Sequence, residues 1–391
     1  MKLARRVMEL EESATLAVSN KAAKMKAEGV DVISFGAGEL DFPTPAHITQ
    51  AALEAIRAGK TGYCKPTSGE APAKQAVCAK LARDNQLTYK PEQVIITAGG
   101  KMGIYLAIQA LVEEGDEVVI PAPYWVSYPE MVKLAGGKPI FVQGPESRDY
   151  KLSPDDLKNA LTARTRMVLL CSPSNPSGVT YDPDELRALA RVMEDRDLIV
   201  LSDEIYDELV FHGQKTLSYA ACSPKAYTQA LTLNSASKTY SMTGWRVGYA
   251  AGPTPVIQAM AKLQSQTTSG AVTFVQYALA AALTSDQDCV RAMRDELEGR
   301  CKVMYERLVS MSGVRCPKPT GAFYCFPNVS GTYKRLGVSG STQFAEMLLD
   351  KARVAVVPGG AFGLDGHIRL SYATSLPIIE EGLRRIERFL S

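Results

Sequence analysis

Short, continuous apolar runs recur through the middle of the chain: Val94-Ile95-Ile96, Val118-Val119-Ile120, Met167-Val168-Leu169-Leu170, Leu198-Ile199-Val200-Leu201 and Leu231-Thr232-Leu233. Between them lie stretches with apolar positions at helical spacing, over residues 45–58, 71–83, 103–112 and 183–193. Runs that are apolar throughout, rather than alternating, belong to strands covered on both faces, and strands separated by helices form parallel sheets. The pattern predicts an α/β fold with a large domain over residues 45–289, its mainly parallel sheet covered by helices. The flanks read differently. Ser13 is placed to cap a helix ending near Gly29, residues 30–35 read as a strand, and a long charged helix is expected over 286–308. Residues 321–327, 353–357 and the alternating run 367–372 read as further strands, ahead of a last helix over 377–390. Together the flanks, residues 1–44 and 290–391, are expected to form a smaller α+β domain.

In sheets of this kind ligands bind beyond the carboxyl ends of the strands. Each apolar run leads into a polar, glycine-rich or aromatic cluster: Thr97-Ala98-Gly99-Gly100-Lys101, Pro121-Ala122-Pro123-Tyr124-Trp125, Ser172 to Gly178, Ser202-Asp203-Glu204-Ile205-Tyr206 and Ser235-Ala236-Ser237-Lys238. All five are expected on one rim.

The last cluster suggests a chemistry. Lys238 sits among small hydroxyl residues, with Arg246 eight positions on. A lysine held at a strand end can form a Schiff base with a carbonyl, and Ser235, Ser237 and Arg246 can hold a dianion, which together is what pyridoxal phosphate requires. Alone, Lys238 is one of 44 basic residues, most of them solvated surface charges. Its neighbours add weight. The cofactor is an electron sink only while its ring nitrogen stays protonated, and a carboxylate bonded there favours that form. Asp203 is the candidate, against the plainer role of a helix N-cap. Tyr206, three residues on, shares its face if a helical turn follows, and with Asn175 can donate to the phenolate oxygen. Asn175 beside proline is otherwise a turn residue. Trp125 offers a flat face to the ring, or else a core side chain. Gly99 and Gly100 open a helix and present N–H groups to the phosphate, and Arg246 can fork two of its oxygens. Arg369, among alternating apolar residues, needs an anion: a substrate carboxylate or an internal salt bridge. Gly36-Ala37-Gly38 lacks the third glycine of a dinucleotide fingerprint, which leaves a tight turn or a close approach of backbone to ligand.

Composition narrows the class. The 44 basic and 42 acidic residues leave a net charge of +2 without a polybasic run, which gives no sign of nucleic-acid or anionic-membrane partners. Eight cysteines show no Cys-x-x-Cys spacing and no pairing with the three histidines, so neither a metal site nor a disulfide framework is expected. The charged N-terminus has no apolar core of a signal peptide, and the apolar stretch around Val275 to Leu283 is too short and polar to span a bilayer. A soluble, cytoplasmic protein with free thiols is expected.

The stretches PAPYWVSYPEM, SPSNPSG, SDEIY, SASKTYSMTGWRVGY and RLSYA resemble those of fold type I pyridoxal-phosphate enzymes, specifically bacterial and cyanobacterial aspartate aminotransferases, from Ser13 to Ala373. The resemblance implies transfer of the amino group of L-aspartate to 2-oxoglutarate. It implies Lys238 as Schiff-base lysine and proton shuttle, Asp203 on the pyridinium, Tyr206 and Asn175 on the phenolate oxygen, and Ser235, Ser237 and Arg246 on the phosphate. Trp125 would stack on the ring, with Gly99, Gly100 and Lys101 beside the cofactor. Arg369 and the Gly38 backbone would hold the substrate α-carboxylate, next to Trp125 and Asn175, and Lys101 with Ser13 and Thr15 would recognise an acidic side chain. The family is dimeric, and Tyr63 matches the tyrosine that reaches the partner's cofactor phosphate. Ala122-Pro123 and Asn175-Pro176 are candidate cis bonds. Met102, Tyr105-Leu106, Cys171 and Leu40 depart from the family pattern and bear on substrate range. Prephenate or aromatic transamination, a β-lyase or decarboxylase, and a regulator borrowing this fold are the alternatives. The regulator would need an added DNA-binding domain, of which the sequence gives no sign.

Overall fold

The computed structural model describes residues 2–391, with Met1 outside them. Its strands, in chain order, are β1 (Ile33–Ser34), β2 (Val94–Thr97), β3 (Glu117–Ala122), β4 (Lys138–Gln143), β5 (Thr165–Cys171), β6 (Ile199–Asp203), β7 (Ala230–Ser235), β8 (Gly248–Ala251), β9 (Tyr324–Cys325), β10 (Val354–Ala355), β11 (Val357–Pro358) and β12 (Ile368–Ser371). Seven form one sheet in the order β2-β8-β7-β6-β5-β3-β4. Strands β3 to β7 pair in parallel, while β8 is antiparallel to both its neighbours, so β2 points the same way as β7. The carboxyl ends of all five expected strands therefore share one rim.

The apolar runs are continuous because both faces are covered. Val94, Ile96, Val119, Val168, Leu170 and Val200 pack into one core with Val77, Leu81, Leu189 and Leu279 from helices. Their neighbours Ile95, Val118, Ile120, Met167, Leu169 and Leu201 pack into another with Ile104, Val132 and Ile257. Two strands carry no such run. β4 is an edge strand with largely exposed positions, and β8 is Gly-Tyr-Ala-Ala, in which only Tyr249 has bulk and the other three positions are small.

A further core joins Phe35, Leu297, Met304, Phe344, Leu348, Leu370 and Leu383, drawn from both flanks, with Tyr206, Leu209 and Phe211 from the turn after β6. Here the strands are shorter than expected. The run at 30–35 keeps only β1, paired with β10, and 353–357 splits into β10 and β11. The run at 321–327 keeps only β9, because Ala322 has φ 58° and breaks the extended chain. The long helix spans Asp288–Ser310. Ser13 precedes the helix Ala14–Ala27, but its hydroxyl makes no capping hydrogen bond and is left for another use. Ala122–Pro123 and Asn175–Pro176 are cis, as are Lys65–Pro66 and Ser172–Pro173. No helix among the described residues is long and apolar enough to cross a membrane.

Candidate active site

A cavity of about 570 Å³ opens on the carboxyl-end rim. Gly100 and Lys101 reach it after β2, Trp125 after β3, Asn175 after β5, Asp203 and Tyr206 after β6, and Ser237 and Lys238 after β7, with Arg246 on the following loop. Ser13, Thr15 and Gly38 close it from the N-terminal segment, and Tyr324 and Arg369 from the C-terminal part.

Lys238 is the buried amine of this cavity. Its Nζ donates to the Gly38 carbonyl oxygen, and burial depresses its proton affinity to a pKa of about 8, with Glu39 working in the opposite direction. Asp203 ends β6 with 4% of its surface exposed, and burial raises its carboxyl to a pKa of about 6. Tyr128 donates to Asp203 Oδ2 at 2.6 Å and works against that rise. Tyr128 is a site residue absent from the expectations. It lies one helical turn after Trp125 and meets that ring edge-on, 84° between planes, so the spacing was the available signal. Asp203 Oδ1 also accepts from Ile205 N at 3.3 Å, so the capping role coexists with a cavity-facing one.

Arg369 is 1% exposed. Its Nη1 donates to Asn175 Oδ1 at 3.0 Å, its Nη2 to the Gly36 carbonyl oxygen at 2.8 Å, and its plane lies near the rings of Tyr324 and Phe362. Among the described residues no carboxylate pairs with it, and Nε has no partner. The internal salt bridge is therefore excluded, and a buried cation without its anion faces a cavity. Since Asn175 Oδ1 is taken, its amide N–H groups are the ones left for a ligand. Tyr206 is buried, with its hydroxyl 3.1 Å from that of Tyr324.

Trp125 is half-buried on the cavity wall, not a core side chain, and Lys101 Nζ lies 4.8 Å from its ring centre. Burial, and secondarily Arg246, lowers the proton affinity of Lys101. Thr15 Oγ1 is buried without a partner among the described residues, beside Ser13 on the same wall.

Three expected residues stand back from the cavity. The Ser235 hydroxyl accepts from Ser237 N at 3.0 Å and lies 2.8 Å from Ser237 Oγ and 2.9 Å from the Val247 carbonyl oxygen, so it shapes the turn that presents Ser237. Gly99 lies behind Gly100 with φ 84°, where a Cβ would fall 2.6 Å from Arg246 Nη2, so only glycine leaves the guanidinium its place. Tyr63 is 80% exposed and takes no part in its own chain's cavity.

The model of the family "Aminotransferase class I and II" matches residues 30–386. The chain belongs to the class I and II aminotransferases. It is 47% identical to an aspartate aminotransferase of Geobacillus stearothermophilus over 390 residues, covering 100% of this chain and 99% of that protein. It is 42% identical to an aspartate/prephenate aminotransferase of Nitrosomonas europaea, with full coverage of both. Among solved structures it superposes on the aspartate aminotransferase of Rhizobium meliloti with a TM-score of 0.95 at 38% identity, covering 100% and 99% of the two chains. On that of Thermus thermophilus with maleate the TM-score is 0.93 at 40% identity, covering 99% of each.

Aminotransferases of this family use pyridoxal phosphate, and the residues present fit it. The buried Asp203 carboxyl calls for a cation, the Gly99 cradle holds Arg246 without a carboxylate partner among the described residues, and Lys238 is a buried amine with depressed proton affinity. Of the departures from the family pattern, only Cys171 lines the cavity; Leu40 packs in the core shared by the flanks, and Met102 and Tyr105 pack against the sheet.

Proposed function

We propose that this aminotransferase transfers the amino group of L-aspartate to 2-oxoglutarate on pyridoxal 5′-phosphate, giving oxaloacetate and L-glutamate. The observation that carries the reading is a cavity with a cation for each end of a dicarboxylic substrate: Arg369, buried without an anion, and Lys101, beside Ser13 and the unpartnered Thr15 hydroxyl.

When bound, the cofactor supplies an electron sink conjugated to the substrate carbon that bears nitrogen. The chain's residues do the rest. Lys238 would hold the cofactor's carbonyl carbon between turnovers and would move the proton at the substrate α-carbon, a task suited to an amine whose pKa burial lowers to about 8. Asp203, oriented by Tyr128, would keep a proton on the ring nitrogen. Tyr206 and Asn175 would donate to the phenolate oxygen. Ser237, Arg246 and the N–H of Gly100 would hold the phosphate, with Ser235 and Gly99 shaping that cradle. Trp125 would cover the ring, and Arg369 with the Gly38 backbone would orient the α-carboxylate. The exposed Tyr63 supports a homodimer in which it reaches the partner's phosphate. Eight free cysteines fit a reducing, cytoplasmic setting.

A Lys101→Ala variant tests the assignment of the second carboxylate. Lys101 is exposed on the cavity wall, and loss of an exposed charge partner, worth about 1 kcal/mol, should lower kcat/KM for aspartate by roughly fivefold. Alanine or aromatic amino acids should change less than about threefold. Equal losses on charged and uncharged substrates would remove Lys101 from side-chain recognition. The aspartate/prephenate relatives favour prephenate as a second substrate, which the same kinetics would reveal as an activity sharing the Lys101 dependence.

A further inference from the structure

The turn that carries Asp203 and Tyr206 has a second face, and that face is built of charges the reaction does not use. Asp203 and Tyr206 line the cavity, whereas Glu204, Asp207 and Glu208, at helical offsets from one another, do not, with Glu204 buried and Asp207 and Glu208 partly buried. Asp207 N donates to the Glu204 carbonyl at 3.0 Å and Leu209 N to that of Tyr206 at 2.9 Å, so the segment is a tight turn that carries both faces on one short backbone. Glu204 is anchored by Ser202 Oγ at 2.8 Å, Ser218 Oγ at 2.7 Å and Tyr219 N at 3.2 Å. The other anchor is Lys80, on the helix Ala71–Asn85, only 2% exposed. Its Nζ is ion-paired with Asp207, lies 3.3 Å from Glu208 Oε1 and 3.8 Å from Asp84 Oδ2, and donates to Asn85 Oδ1 at 2.9 Å.

One ammonium thus serves three carboxylates. Burial works to neutralise Lys80, but Asp207, the Tyr249 phenol and Glu208 overrule it and hold its proton affinity well above that of an ordinary lysine. Burial, and after it Asp207, pushes the Glu208 carboxyl up in spite of Lys80, and Asp207 Oδ1 is buried with no partner among the described residues. Without the ammonium, Asp207 and Glu208, adjacent in the chain, would repel each other and Asp84, and the repulsion would be relieved by uptake of a proton and by displacement of the turn.

We propose that Lys80 is a positioning residue for transamination: from outside the cavity it clamps Asp207 and Glu208 and so fixes where Asp203 and Tyr206 meet the cofactor. The proposal rests on the reading that this cavity holds pyridoxal 5′-phosphate. Displacement by about 1 Å can cost about 100-fold in rate, and the two residues displaced are those that hold the ring nitrogen and the phenolate oxygen.

The test compares Lys80→Met, Lys80→Arg and Asp207→Asn with Glu117→Gln. The last removes the charge of buried Glu117, which pairs with the largely exposed Arg164 and accepts from Thr162 at the opposite end of the sheet, and serves as a control for lost stability. Each protein is loaded with pyridoxal 5′-phosphate, its melting temperature and cofactor dissociation constant are measured, and its absorbance is titrated with pH. In Lys80→Met, weakened donation from Tyr206 should raise the titration midpoint by an amount equal to about a tenfold change in proton affinity, and the dissociation constant should rise about tenfold. Lys80→Arg should restore both, Asp207→Asn should move both in the Lys80→Met direction, and Glu117→Gln should lower the melting temperature while moving neither. If Lys80→Met does not fold, Asp207→Asn carries the test. A Lys80→Met or Asp207→Asn protein that melts earlier but binds and titrates like the parent would overturn the proposal. If the parent itself shows no absorbance from bound cofactor, the reading of the cavity fails instead.

Discussion

Replacing Lys238 with alanine should lower amino-group transfer by about 10⁴-fold or more, because the variant loses both the covalent tether and the group that moves the α-proton. The fold should survive. Lys238 Nζ makes one hydrogen bond, to the Gly38 carbonyl, and its burial already works against its charge. The cofactor should still bind through Asp203, Ser237 and Arg246, but it should leave on dialysis, whereas the parent retains it. The pH behaviour of the parent follows from the same group. Lys238 reacts with a carbonyl only as the free amine, and its pKa is lowered to about 8. Capture of added cofactor by the apoprotein should therefore accelerate as pH rises towards about 8 and level off above it. Parental turnover in Lys238→Ala would remove this lysine from the chemistry.

Arg369→Leu should have the next largest effect, and a different signature. Truncating one partner of a desolvated charge pair costs about 2–5 kcal/mol, so kcat/KM should fall roughly 30- to several thousand-fold for every amino acid tried, mainly through KM. Lys101→Ala spares uncharged substrates; Arg369→Leu spares none, since every substrate carries an α-carboxylate. Stability should respond weakly. Breaking a buried ion pair costs about 3–5 kcal/mol, but Arg369 has no carboxylate partner among the described residues, and its Nε is unpaired. A melting temperature that falls as for a lost buried ion pair, with KM unchanged, would make Arg369 a structural residue.

The sheet and its active rim were legible because burial on both faces leaves a signal in consecutive residues. Val94 and Ile95 face different cores, as do Met167 and Val168, and that is why the runs are unbroken. β8 escaped because Gly248, Ala250 and Ala251 fill their places without apolar bulk. Lys238, Asp203, Trp125 and Arg369 were legible because each follows or interrupts an apolar run with a group that burial would otherwise penalise. What the sequence concealed is contact between distant positions. Tyr128 meets Asp203 across 75 residues, and Lys80 meets Asp207 across 127. Ser235 shows the converse limit, since its proximity to Lys238 in sequence suggested phosphate binding while its hydroxyl is spent within the turn.

The most direct test of the whole account is a half-reaction. Purified holoenzyme is mixed with L-aspartate without any 2-oxo acid, and cofactor absorbance and released products are followed together. Amino-group transfer predicts one equivalent of oxaloacetate per active site, loss of the aldehyde form of the cofactor, and its return on adding 2-oxoglutarate, with one equivalent of glutamate. Continuous release of pyruvate, alanine or ammonia, or an absorbance that aspartate leaves unchanged, would contradict it.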